Sequence, residues 1–385
     1  MRAAVPAPHL TITPASGAVH VHPGRAVTVA VTHGKVENVT LITTDSEPVA
    51  GSLNAAGTVW HSTAVLHPSR HYTVTATAAG GSGKTVTMTS SFRTLKPSAV
   101  IRARTLLGYH KVYGVGIPIM ITFDRPVRYR AAVERSIEIW SSKPVVGAWY
   151  WDGSKALDFR PRGYWPQNTH VRFVAHLAGV ETSPGVYGAA NLSQSFTIGR
   201  SLIAMVNTAS HYATIYYRDK RFGVWPMSSG APGDDTANGT YLTIEKGNPV
   251  LMSGPGYTNF PVPYSVRFTW SGNYMHDAYW SVAEQGVTNV SHGCVNLSPA
   301  HAAIYYNLAV PGDPVTVTRS PVAGAWDDGW TEWFLSWKQL LHGSATHQAV
   351  RVGPAGSRFV SPSSLPAFKA TAPLGTSRPG NANAS

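Results

Sequence analysis

Cys294 is the only cysteine in the chain, and it lies in the stretch SHGCVNLSP at residues 291–299. A lone thiol can be a small buried hydrophobe, half of an intermolecular disulfide, a metal ligand or a nucleophile. No second cysteine is available for an internal disulfide. A structural cysteine belongs in an apolar run, whereas Ser291, His292 and Gly293 precede this one and Asn296 follows it. Zinc sites commonly pair ligands as Cys-x2-Cys or His-x3-His, and His-x-Cys does not match, so no metal is expected. The nucleophile reading needs a base, because only the thiolate attacks and a free thiol titrates near ~8.5. His276 comes from a separate element and can approach across the fold. The amides of Gly293 and Cys294 are candidate oxyanion donors, glycine permitting the tight loop. Residue types alone therefore stop at a Cys–His acyltransferase or peptidase.

The elements that must position these groups are mostly strands. Val262, Tyr264, Val266, Phe268 and Trp270 alternate with small or polar residues, which predicts one half-buried strand over 262–270. It turns at Ser271-Gly272-Asn273 and delivers Tyr274-Met275-His276. The dipeptide Asn238-Gly239 predicts a tight turn. Beyond Cys294, Ser298 suits an N-cap and Pro299 the first helical position, so a helix is expected to Leu308. Strand-like runs also cover 202–209, 213–218, 222–229 and 315–318.

Upstream, residues 9–94 carry short alternating runs every 8–12 residues, the pattern of an antiparallel sandwich. LKPSA at 95–99 marks a boundary, and a second set of such runs follows to about residue 199. The clusters Trp149-Tyr150-Trp151 and Tyr164-Trp165 are read as core and packing residues rather than a sugar-stacking surface. Trp326, Trp330, Trp333 and Trp337 are spaced four, three and four apart, which predicts one helical stripe docked on the protein. Residues 341–385 are rich in Pro, Ser, Ala and Gly without an acidic residue, and are expected to be disordered.

Composition narrows the partners. Charged residues are only 13% of the chain while it holds 36 Gly and 28 Pro, favouring a turn-rich β-protein over a helical one. The net charge of +12 attracts polyanions. Lys and Arg are dispersed, however, and no zinc-finger, helix-turn-helix or RNA-binding signature occurs, so nucleic acid is not expected. An anionic cell envelope fits the charge. No apolar run reaches 18 residues, so no membrane-spanning helix is expected. The first residues lack the apolar core of a signal peptide.

The arrangement His276-x14-Ser291-His292-Gly293-Cys294 with Asn296 resembles the signature of the L,D-transpeptidase (YkuD-type) catalytic domain. The likeness runs through HDAYWSVAEQGVTNVSHGCVNLSPAHAAIYYNLAVPGDPVTV and includes the His276-x3-Trp280 spacing. The preceding Ig-like patterns and the Trp-rich C-terminal segment resemble actinobacterial members. The resemblance implies a mainly β chain divided at 1–97 and 98–199 (two immunoglobulin-like sandwiches), 200–320 (a catalytic domain with one or two short helices), 321–340 (a C-terminal subdomain) and 341–385 (the tail). It implies Cys294 as nucleophile, His276 as general base, the Ser291 backbone orienting the imidazole, and His292 and Gly293 lining the site. Tyr257 and Met252 are implied in a flap over the pocket, with Trp280, Asn296 and Asp277 at substrate-site positions. Asp277 is a departure, since close actinobacterial relatives carry Ser directly after this His. No cofactor is implied. The implied partners are peptidoglycan stem peptides, a donor tetrapeptide and an acceptor amine, with carbapenem-type β-lactams as inhibitors. The implied protein is monomeric and extracytoplasmic. The rival readings are a cell-wall cysteine carboxypeptidase or endopeptidase and a non-catalytic wall-binding protein.

Overall fold

The computed structural model describes residues 6–368, apart from positions 82 and 255. The alternating runs of residues 9–93 form two sheets. One holds His9–Thr13, Thr28–Thr32, Val59–Ser62 and Gly51–Leu53 in that order, and the other holds Gly34–Thr43, His71–Gly80 and Thr85–Arg93. Inward-facing Val29, Leu41, Val74 and Phe92 are buried in one core. Outward threonines pair across strands, as Thr75 with Thr89 and Thr77 with Thr87 at 3.1 and 3.0 Å. Alternation therefore segregates the two faces.

The second set of runs forms further β-structure, including the adjacent strands Val145–Asp152 and Ala156–Pro161. Trp149, Trp151 and Trp165 are buried there, in agreement with the packing reading of those aromatics. By internal contacts the chain divides into two compact units. One runs to Arg104 and includes Thr122–Ile137 and Val174–Leu192; the other comprises Thr105–Ile121, Glu138–Phe173 and the chain from Ser193 onward.

The second unit carries the candidate chemistry. A five-stranded sheet orders Lys220–Pro226, Tyr212–Tyr217, Leu202–Asn207, Pro314–Thr318 and Gly239–Leu242. A four-stranded sheet orders Glu245–Gly247, Ser265–Arg267, Tyr274–Asp277 and Val295–Leu297. Val266, Met275, Val295 and Leu297 join Val206, Ile215 and Val317 in one buried cluster. The helix Pro299–Leu308 begins as expected, with the Ser298 side chain accepting from the His301 amide and Pro299 in the first turn.

Four local expectations are corrected. The predicted 262–270 strand breaks after Val262, because Tyr264 has a positive φ of 47°, and resumes only over Ser265–Arg267. Asn238-Gly239 makes no hairpin turn: Gly239–Leu242 is a strand, and the Asn238 side chain instead ties the backbone at Ser320 and Val322. The tryptophan stripe is not one helix. Gly329, with φ 128°, interrupts it, leaving a short turn at Glu332–Phe334 and a separate helix, Trp337–Gly343, started by a Ser336–Gln339 capping box. The stretch expected to be disordered from residue 341 carries the strands Ala349–Gly353 and Gly356–Val360. They form a hairpin, and Ala349–Gly353 adds to Val145–Asp152. Their alternating apolar residues find a partner only through this remote pairing, which local composition does not encode. Residues 369–385 lie outside the described residues.

Candidate active site

Two neighbouring strands bring the chemistry together. Tyr274–Asp277 runs parallel to Val295–Leu297, with Met275 opposite Val295, His276 opposite Asn296 and Asp277 opposite Leu297. Cys294 immediately precedes the second strand, so the candidate nucleophile and candidate base ride on adjacent strands two register positions apart. The approach to Cys294 is fixed from the other side by residues 228–231. Ser291 N donates to Ser229 O at 3.0 Å, Ala231 N to Ser291 O at 2.8 Å and Asn296 N to Ser228 O at 2.8 Å.

The imidazole of His276 is buried, and its Nδ1 meets the Asp277 carbonyl oxygen at 2.8 Å. A carbonyl only accepts, so Nδ1 carries the proton and Nε2 keeps its lone pair, the tautomer a general base requires. Burial lowers the His276 pKa to about 4, against the opposing pull of the Asp277 carbonyl. Trp280 stacks on the ring, with centroids 5.8 Å apart and planes at 26°.

Cys294 is half-buried, and its Sγ lies 3.8 Å from the Gly272 carbonyl oxygen. Burial pushes the thiol up to about 11, partly offset by the Tyr274 backbone N–H directed at the sulfur. At neutral pH the thiol is thus protonated and the imidazole uncharged. Neither group then carries a charge, so an attack by this thiol would need its proton removed as the attack proceeds.

The remaining predicted residues divide. Tyr257 is half-buried on the hairpin Val250–Gly254/Tyr257–Val262, and its ring faces that of exposed His292 with centroids 5.7 Å apart. Burial raises the Tyr257 hydroxyl pKa, and the charge of a Cys294 thiolate raises it further. Met252 lies on the same hairpin opposite Phe260, whose ring packs edge-on against the exposed Trp280 at 5.1 Å. Tyr257, His292, Phe260 and Trp280 thus join the hairpin to the surroundings of the thiol and the base.

Two expectations are corrected by the geometry. The His276 Nδ1 proton goes to the Asp277 carbonyl rather than to the Ser291 backbone, whose carbonyl accepts from Ala231 N; the Ser291 hydroxyl donates to Cys294 O at 2.6 Å and accepts from Gly293 N at 3.1 Å. Of the two amides considered for an oxyanion hole, that of Gly293 is therefore already engaged. Gly293 serves the backbone instead: its φ is 109°, and an added Cβ would lie 2.4 Å from Asn273 Nδ2. Asn296 and Asp277 are buried, as His276 is. Asn296 Nδ2 donates to Ser281 Oγ at 2.9 Å. Among the described residues Asp277 Oδ1 has no hydrogen-bond partner, and burial raises the Asp277 carboxyl pKa against the opposing Tyr279 N–H.

Sequence reasoning missed the contribution of Gly272 and Tyr274, because it acts through their backbones. It also missed Ser228 and Ser229, whose only local signal is an ordinary polar pair. Among the described residues no group of three His, Cys, Asp or Glu is arranged to hold a metal.

A family model described as the L,D-transpeptidase catalytic domain matches residues 201–317, and one described as a bacterial Ig domain matches residues 18–181. L,D-transpeptidase 2 of Mycobacterium tuberculosis is 33% identical over 349 residues, covering 88% of this chain and 85% of that protein. L,D-transpeptidase 5 of the same species is 34% identical over 351 residues, covering 88% and 78%. The solved structure of L,D-transpeptidase LdtMt1 in complex with imipenem is 35% identical, covers 56% of this chain and 97% of that one, and has a TM-score of 0.47.

Proposed function

This chain belongs to the L,D-transpeptidase family and is an acyltransferase with an Ig-like region ahead of its catalytic region, and from that premise we propose that it forms 3→3 peptidoglycan cross-links through a cysteinyl acyl-enzyme. The observation that carries the reading is the fixed tautomer of His276, Nδ1 at 2.8 Å from Asp277 O, on the strand adjoining the only cysteine.

The step follows from the neutral pair. Cys294 Sγ attacks the carbonyl joining the third stem residue, commonly diaminopimelate, to the terminal D-Ala, while His276 Nε2 takes the thiol proton. The C–N bond breaks, His276 returns that proton to the departing amine, and a thioester remains. The side-chain amine of a second stem then attacks the thioester, gives its proton to His276, and leaves a 3→3 amide and a restored thiol. Tyr257 and Met252, on the hairpin beside His292, act as a flap over the bound donor, with Trp280 contributing an exposed aromatic face next to the base. The enzyme works as a monomer outside the cytoplasm, where its net charge of +12 favours contact with an anionic wall. Carbapenems acylate the same thiol.

The test is intact mass after incubation with a carbapenem, followed by incubation with purified disaccharide-tetrapeptide. One adduct on the wild type, none on Cys294→Ala, and cross-linked dimer from the natural substrate are expected. No adduct on the wild type overturns the nucleophile; tripeptide without dimer replaces transfer by hydrolysis.

A further inference from the structure

The nucleophile is held by a turn, and the turn is held from outside the matched catalytic region, which ends at residue 317. Residues 271–274 present two groups to Cys294: the Gly272 carbonyl oxygen, 3.8 Å from Sγ, and the Tyr274 backbone N–H. The first accepts from the protonated thiol and the second donates to the thiolate, so this short backbone segment meets both states of the sulfur. Inside the turn, Asn273 N donates to Thr269 Oγ1 at 2.8 Å, and Thr269 Oγ1 donates to Asn273 Oδ1 at 2.9 Å. Asp328 closes it from the C-terminal segment. Its Oδ1 accepts from Ser271 N at 2.6 Å and its Oδ2 from Ser271 Oγ at 2.7 Å. Ser271 has one hydroxyl proton, and a carboxylate takes it in preference to the Asn273 amide oxygen 3.2 Å away. Trp330 packs edge-on against Trp270 at the same place, with centroids 6.1 Å apart.

We infer that Asp328 is a positioning residue for the nucleophile: its paired hydrogen bonds to Ser271 hold the 271–274 turn at the distance where Gly272 O and Tyr274 N–H meet Cys294 Sγ. The inference rests on the reading of Cys294 as the attacking group. When the clamp is lost, the turn withdraws and water reaches the sulfur. Attack geometry then worsens while the thiolate becomes easier to form, because hydration relieves burial, the larger influence on this thiol, and outweighs the lost Tyr274 N–H. Loss of overall stability would also slow acylation and uncover the thiol, but it lowers the melting temperature, whereas loss of the clamp alone leaves the melting temperature at the wild-type value.

The experiment compares wild type, Asp328→Asn and Ser271→Ala by the rate of carbapenem adduct formation and by the rate and pH profile of iodoacetamide alkylation, which reads Cys294 alone. Asp328→Asn is expected to acylate about tenfold more slowly or worse, and to alkylate at neutral pH at least as fast as wild type, with its profile moved to lower pH. Ser271→Ala, which keeps the backbone bond, falls between, and the double variant is no worse than Asp328→Asn. Acylation of Asp328→Asn within twofold of wild type overturns the inference, as does a parallel fall of acylation and alkylation. A wild type that takes no carbapenem overturns the enzymatic reading instead, while the alkylation comparison still tests the clamp.

Discussion

The neutral resting pair separates this site from one built on a thiolate–imidazolium pair, and the difference is measurable. With the thiol pushed from 9.0 to about 11 by burial, the thiolate fraction at pH 7 is on the order of one in ten thousand, against about one in a hundred for a free thiol. Forming a free thiolate first would cost about 5 kcal/mol at that pH, so His276 is useful only if it takes the proton during attack. Two assays read this separately. Iodoacetamide alkylation of Cys294 is expected to rise with pH toward a midpoint near 11 and to change little in His276→Ala. Carbapenem acylation is expected to stay flat between about pH 5 and 10, because His276 is neutral above about 4, and to drop by about 10²–10⁴-fold in His276→Ala. An alkylation midpoint below about 8 in the wild type, moving up by a unit or more in His276→Ala, would refute the reasoning. It would mean that the two groups rest as an ion pair.

Gly293→Ala places a Cβ 2.4 Å from Asn273 Nδ2 at a φ of 109°, a strain of about 1–3 kcal/mol. Acylation should fall at least about tenfold and the melting temperature by a few degrees, with Asn273→Ala restoring part of the acylation; a Gly293→Ala enzyme at wild-type rate removes the packing argument. In the C-terminal segment, burial raises the Glu332 carboxyl from 4.5 to about 7, and burial also raises Asp158, where the Glu332 charge adds to the effect. Because the folded protein holds these protons more tightly than the unfolded chain, this contribution is complete below the unfolded pKa near 4.5 and is lost as pH rises through about 7. It amounts to about 3 kcal/mol for Glu332. The melting temperature should therefore fall between pH 5 and 8, and Glu332→Gln should flatten that fall; a slope unchanged in Glu332→Gln contradicts it.

The helix after Cys294 was legible because its start is local: Ser298 caps and Pro299 opens. The first sandwich was legible because period-two alternation survives in strands such as His9–Thr13, Thr28–Thr32 and His71–Gly80. What failed depended on partners remote in sequence. The hairpin Ala349–Gly353/Gly356–Val360 looks like tail composition until Val145–Asp152 pairs with it. The tryptophan spacing matches a helix, but Gly329 breaks the backbone it needs.

The site shows the same division at finer scale. Residue types near Cys294 identified a thiol, an imidazole and polar neighbours, but a polar residue beside a nucleophile can face the ligand or brace the loop. Asn296 braces it through Ser281, and Ser291 does so through the Cys294 carbonyl and the Gly293 amide. The groups that touch the sulfur, Gly272 O and Tyr274 N–H, belong to backbone that every residue possesses. Side-chain identity therefore could not single them out. It could only mark the turn Ser271-Gly272-Asn273, whose Gly272 holds a φ of 107°, as a place where the chain bends. That the bend points its backbone at the thiol is a property of the pairing between Ser265–Arg267, Tyr274–Asp277 and Val295–Leu297. Chemistry at this site is thus specified twice: by a few side chains readable in order, and by a strand register that aims anonymous peptide groups at them.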